Sequence, residues 1–135
     1  MSYKQAKIDL QKHFYDAWVA AGYSGDIITF PNEQFSKPSD STWVRFIIFG
    51  AGGKRIELGA GGQEERSGFV SVEIFSPANM KGENDITTLI DTIIGFYKDL
   101  VTGGHHFDDH SLRGPYEAET GWMKADLSFP FVRYE

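Results

Sequence analysis

Apolar residues along the chain fall into two rhythms. From Ser2 to Gly22, Ala6, Leu10, Phe14, Ala17, Trp18 and Ala21 recur at intervals of three and four. That spacing places them on one face of a helix. Lys4, Lys7, Asp9, Lys12 and Asp16 fall largely elsewhere, and Gly22 is a natural stop. The same rhythm returns in Ile86, Leu89, Ile90, Ile93, Tyr97 and Leu100. A second helix is therefore expected to be capped by Asn84 or Asp85, to run to about Val101, and to end before Gly103-Gly104.

Between and after these stretches the period shortens to two. Phe69, Ser71, Glu73 and Phe75 alternate with Val70, Val72 and Ile74, which marks Arg66 to Ser76 as a strand closed by Pro77. Ile27 to Phe30, ending at Pro31-Asn32, and Trp43 to Phe49 are strand-like in residue type. Two glycine clusters, Gly50 to Gly53 and Gly59 to Gly62, bracket the short segment Lys54 to Leu58 and predict mobile loops at both ends of it. Two further strands are expected at Leu112 to Glu117 and Trp122 to Arg133. Ala125, Leu127, Phe129 and Phe131 share one face of the last. The order α-β-β-β-β-α-β-β predicts a single α+β domain over residues 1–135, with a mostly antiparallel sheet and two helices packed on one face.

Composition narrows this reading. With 41% hydrophobic and 15% aromatic residues in 135, the chain can fill a core and is not a disordered segment. It has no cysteine, which excludes disulfides and thiolate metal sites. No apolar run has the length of a membrane span, and the first residues lack the apolar stretch of a signal peptide, so a cytoplasmic protein is expected. The net charge of -6 argues against a dedicated nucleic-acid binder.

Candidate chemistry is sparse. The glycine clusters fail as a phosphate loop, because Lys54 is followed by Arg55 instead of Ser or Thr, and a strand-like segment stands where a helix is needed. His105, His106, Asp108, Asp109 and His110 form the one dense group of metal-capable side chains. They are expected in a loop after Gly103-Gly104 without helical preorganisation, where a solvated loop is the simpler reading. His13 lies beside the apolar face of the first helix and reads as a packing residue, and Glu64-Glu65-Arg66 reads as a charged turn. Trp18, Trp43 and Trp122 read as core or interface anchors. No catalytic residue, cofactor or metal site emerges, and an enzyme is not expected.

Taken in order and spacing, several segments together carry a resemblance. They are the first helix ending near Trp18, the Trp43-Val-Arg-Phe-Ile-Ile stretch, and Arg66-Ser-Gly-Phe-Val-Ser-Val-Glu-Ile-Phe-Ser-Pro77. Lys81-Gly82-Glu83 opening the second helix, Gly121-Trp122-Met123, and Leu127-Ser-Phe-Pro-Phe131 complete the set. Over nearly its whole length the chain resembles the tail-terminator-like family of long-tailed bacteriophages. The resemblance implies a structural virion protein of the tail, assembled in the host cytoplasm. It implies a ring, typically a hexamer, that caps the tail tube, stops its polymerisation and prepares it for head joining. The implied partners are further copies of the chain, the tail-tube protein and head–tail connector proteins, with DNA passing through unbound and no membrane involved. A connector, tail-completion or tail-tube role is the alternative within the same setting, and a small metal-dependent enzyme using His105 to His110 is the alternative outside it. The glycine-rich region from Ala51 to Arg66 is the candidate assembly interface, with Arg55, Glu57, Glu64, Glu65 and Arg66 as its charged residues; a merely flexible hairpin is the competing reading. Glu57, Glu64, Glu65 and Glu73 are candidates for a DNA-repelling lumen or for the assembly surface, against the alternative of ordinary solubilising charge.

Overall fold

The computed structural model describes residues 3–31, 34–55 and 64–134, and of 51–55, 64 and 134 the strand path only. Helix α1 spans Tyr3–Ala20 and buries Ala6, Leu10, Phe14 and Trp18, four of the six positions its periodicity selects. The Trp18 Nε1–H donates to the Ser24 carbonyl at 2.8 Å, which fixes the chain as it leaves the helix. A single 3-10 turn, Gly25–Ile27, follows, its first turn capped by the Ser24 hydroxyl.

Among the described residues, seven strands and a second helix follow. They are β1 (Ile28–Thr29), β2 (Trp43–Arg55), β3 (Glu64–Pro77), α2 (Met80–Tyr97), β4 (Val101–Thr102), β5 (His105–Phe107), β6 (Ser111–Glu119) and β7 (Trp122–Tyr134). All seven strands form one sheet in the order β1-β2-β3-β7-β5-β4, with β6 also paired to β7. Only the short β1–β2 pairing is parallel; every other pairing is antiparallel. β7 meets β3 along its entire length, from Trp122 opposite Pro77 to Tyr134 opposite Glu65. Its other edge is divided, with β6 along Trp122 to Ser128 and β5 along Phe131 to Arg133.

One face of the sheet carries the core. Val44, Phe46, Val70, Val72, Ile74, Ala125, Leu127, Phe129 and Phe131 meet Leu10, Phe14 and Trp18 of α1 and Ile86, Leu89, Ile90, Ile93 and Tyr97 of α2. Removal of this apolar surface from water is the main force holding the layers together. Phe14 sits at the junction, its ring 4.9 Å from Phe46 and 6.1 Å from Phe96. The α+β architecture, with two helices on one face of a mostly antiparallel sheet, is the one the sequence predicts.

Several local expectations are corrected. The cap of α2 is Asn79, whose side chain accepts from the Gly82 N–H at 2.8 Å, not Asn84 or Asp85, which lie inside the helix. Gly82 is needed there because a Cβ would collide with the Pro77 carbonyl. The helix ends at Tyr97, short of Val101, which already belongs to β4. Gly103-Gly104 is the tight turn of the β4–β5 hairpin, where both residues have positive φ (54° and 77°). The Ile27–Phe30 stretch contributes only the two residues of β1, because Ile27 closes the 3-10 turn.

The first glycine cluster is not a loop. Gly50 to Gly53 lies inside β2, which continues to Arg55, and its excess length is absorbed as a register shift against β3 between Gly50 and Gly53. Pairing with β3 provides the order that glycine itself does not favour. Ile56 to Gln63, including the second glycine cluster and Glu57, lie outside the described residues.

Candidate functional site

Among the described residues no helix packs on the second face of the sheet. The register arranges that face in transverse rows, each built from residues distant in sequence. Nearest the start of β2 lies an aromatic row, Trp43 stacked on Phe75 with centroids 4.1 Å apart and rings 8° from parallel. The next row is charged and crosses four strands: Arg45, Glu73, Asp126 and Arg113 are successive cross-strand partners. Beyond it come Ile47, Ser71, Ser128 and Ser111, again in register. The fourth is apolar, Phe49, Phe69 and Pro130, with the two phenyl rings 4.8 Å apart and Phe49 43% exposed.

The charged row sets Glu73 directly opposite Asp126, an arrangement that is unfavourable on its own. Lys124 resolves it. Its ammonium lies 3.3 Å from Asp126 Oδ1 and 3.6 Å from Glu73 Oε2. Arg45 adds a contact of 3.2 Å to Glu73, and the Tyr116 hydroxyl donates to Asp126 at 2.9 Å. Partial burial pulls the Lys124 pKa down, but the two carboxylates outweigh it and leave the ammonium harder to deprotonate than usual. Glu73 therefore lies on the open face with two cations beside it, and it lends that face no uncompensated negative charge.

The aromatic end of the face is partly covered by the irregular segment 34–42, which returns the chain from β1 to β2. Phe35 packs on Trp43 at 5.3 Å, and the Thr42 and Ser76 hydroxyls share a hydrogen bond of 2.8 Å. Between these points the Lys37 ammonium sits 4.9 Å from the Trp122 ring centroid, 5.8 Å from that of Trp43 and 3.3 Å from Glu119 Oε1. Trp43 is buried, and its indole N–H has no acceptor among the described residues.

The residues singled out in the sequence are distributed as follows. Glu65 and Arg66 are consecutive on β3, so they face opposite sides, Glu65 with Glu73 and Arg66 with Arg133. Arg55 and Glu64 are cross-strand partners at the end of the β2–β3 hairpin. Of the assembly candidates, Arg55, Glu64, Glu65 and Arg66 thus lie on paired strands, and Glu57 lies outside the described residues. Trp18 is a core anchor, whereas Trp43 and Trp122 belong to the open face.

The histidine segment is also reassigned. His105 to Phe107 forms β5. His105 is buried with its ring against Phe131 at 4.9 Å and its Nδ1 3.1 Å from the Thr102 carbonyl, while His106 points to the opposite side. Strand alternation therefore separates the two adjacent imidazoles. Burial is the main cause of a lowered His105 pKa. Among the described residues no group of three or more His, Asp or Glu side chains is placed to hold a metal ion.

Two clefts flank the helices. One, of about 600 Å³, lies between α1 and the β4–β5 hairpin and includes Asp9, His13 and Asp16. His13 is half-buried, its pKa lowered by desolvation against the opposing influence of Asp16. Its ring meets that of Tyr97 edge-on at 5.3 Å, and neither His13 Nδ1 nor the Tyr97 hydroxyl has a hydrogen-bond partner among the described residues. The other cleft, of about 460 Å³, is lined by Tyr97, Asp99, Asp108, Asp109 and His110, among others. Both are open, and in the first the Lys12 ammonium pairs with Asp16 at 2.9 Å.

No protein-family model matches the chain, and no curated protein matches it. Among solved structures, 24 chains match. One of them, whose only designation is a sequence identifier, is 17% identical and superposes with a TM-score of 0.68 over 98% of this chain and 96% of its own. That similarity establishes a shared fold along the whole chain. No helix among the described residues is long and apolar enough to cross a membrane.

Proposed function

We propose that the protein is a phage tail terminator, a structural ring subunit that caps the tail tube and stops its growth. One observation carries the reading beyond the sequence resemblance: the sheet leaves an unpaired edge at each of two opposite margins. β1 covers β2 only at Val44 and Arg45, so among the described residues no strand lies against β2 from Phe46 to Arg55. At the far side, among the described residues, β6 pairs with β7 alone. Unpaired edges are templates for strand addition. Two different edges on one subunit suit the heterologous contacts from which closed rings are made. The apolar row of exposed Phe49 and half-buried Phe69 and Pro130, which begins at the β2 edge, supplies surface that such a contact would bury.

A ring subunit needs no reacting groups, only a shape that closes, and the open face offers paired charges and apolar rows in keeping with that task. The test is electron microscopy of the protein mixed with the tail-tube protein of the same virion. Capped tubes of restricted length are expected. Growth of this chain alone into long tubes would assign it the tube role, and no effect on tube length would remove the terminator reading.

A further inference from the structure

We propose that Trp43, Trp122 and Glu119 form a recognition site for the cationic side chain of another protein chain, and that Lys37 occupies this site as an internal stand-in until a partner displaces it. The inference concerns the aromatic end of the open face and does not depend on ring formation.

The site has the chemistry of a cation receptor. Two indole faces present the negative side of their quadrupoles, and a carboxylate completes the surround. Lys37 shows that a primary ammonium fits, at 4.9 and 5.8 Å from the two ring centroids and 3.3 Å from the carboxylate. Yet Lys37 is held weakly. Its side chain is 45% exposed and that of Glu119 62%, so water competes for both. The segment that delivers it, residues 34–42, has no regular secondary structure. Its remaining anchors described above are the Phe35–Trp43 ring contact and the Thr42–Ser76 hydrogen bond.

Lys37 also leaves one need unmet. Among the described residues the buried Trp43 Nε1–H has no acceptor, and a lysine ammonium, which only donates, cannot supply one. A peptide segment carrying Lys or Arg brings both halves: the cation for the two rings and Glu119, and a backbone carbonyl for the indole N–H. An incoming segment therefore gains a hydrogen bond that the internal lysine does not make. Exchange of Lys37 for such a residue would remove one of the three anchors described for segment 34–42, coupling partner recognition to the cover over the Trp43–Phe75 stack.

The probe is N-acetyl-lysine amide, with N-acetyl-norleucine amide as its uncharged counterpart. The readout is the indole N–H signals in a nitrogen–proton correlation spectrum of the full chain. Trp18, whose Nε1 is already bonded to Ser24, reports that the fold is intact. In Lys37→Ala the probe is expected to shift the Trp43 and Trp122 signals and to bind about tenfold tighter than in the wild type, since the cation that contacts both rings and Glu119 is gone, while the Arg45 guanidinium, 5.8 Å from the Trp43 centroid, is common to both. Adding Glu119→Gln to that variant should weaken binding again. Lys37→Met, which keeps the apolar stem, serves as a second competitor-free variant should alanine disturb the segment. Equal affinity in wild type and both variants would overturn the proposal, as would an equal response to the norleucine compound.

Discussion

At the scale of single residues, the clearest consequences come from polar groups whose surroundings do not satisfy them. Desolvation holds the His13 pKa below 6.5. The unfolded chain therefore takes up a proton that the folded chain refuses, and stability contributed by neutral His13 is complete above about pH 6.5 and declines as the pH falls. Thermal melts of the wild type should lose midpoint temperature between about pH 7 and pH 5. His13→Gln should flatten that slope, and an unchanged slope would show that His13 takes no part. His105 is shifted in the same direction by its burial, so the variant should reduce the dependence without abolishing it. The role of His13 as a packing residue was legible from its place beside an apolar stripe. Its edge-on contact with the Tyr97 ring was not, because that meeting depends on how two helices distant in sequence are set side by side.

At the scale of elements, legibility follows the range of the interactions. The helices and the Val70, Val72, Ile74 alternation were readable because each signal lies within one segment. The cap of α2 was misplaced because Asn84 and Asp85 stand nearest the apolar stripe, whereas Asn79 starts a helix whose first turn is polar. Gly50 to Gly53 suggested a loop because glycine alone favours disorder, yet β3 orders it by pairing. The open face was the least legible, since its rows exist only once four strands are in register. Lys124 illustrates this, as nothing local announces that it bridges Glu73 and Asp126. Lys124→Met should leave those carboxylates facing each other and cost roughly 1 kcal/mol at neutral pH. The deficit should shrink in about 1 M salt, which screens the repulsion between the carboxylates. A deficit unchanged by salt would point to lost packing of the lysine stem instead.

At the scale of the whole molecule, one core joins both helices to the sheet, and this predicts cooperative loss. Phe14 touches Trp18 within α1, Phe46 on the sheet and Phe96 on α2. Phe14→Ala should cost about 3–5 kcal/mol. Unfolding followed by far-ultraviolet circular dichroism and by indole fluorescence should still coincide, as a single cooperative unit requires. Separate transitions would mean that a helix leaves before the sheet. Fold class was accessible from the sequence at this scale, because the periodicities specify how many faces must be buried. Assembly is less so: the unpaired edges of β2 and β6 depend on which strands remain without neighbours after the sheet has formed.

The divided edge of β7 bears on how such a sheet is made. β3, β5 and β6 all use β7 as a partner, and β7 comes after all three in the chain. During synthesis the β2–β3 hairpin and α2 emerge with one margin of β3 still bare, and β6 has no strand to join. β7, made after all its partners, thus acts as a zipper, converting separate pieces into one sheet in a late step. Until then the nascent chain exposes apolar strand faces, and its period of greatest need for chaperone protection lies between the appearance of α2 and that of β7.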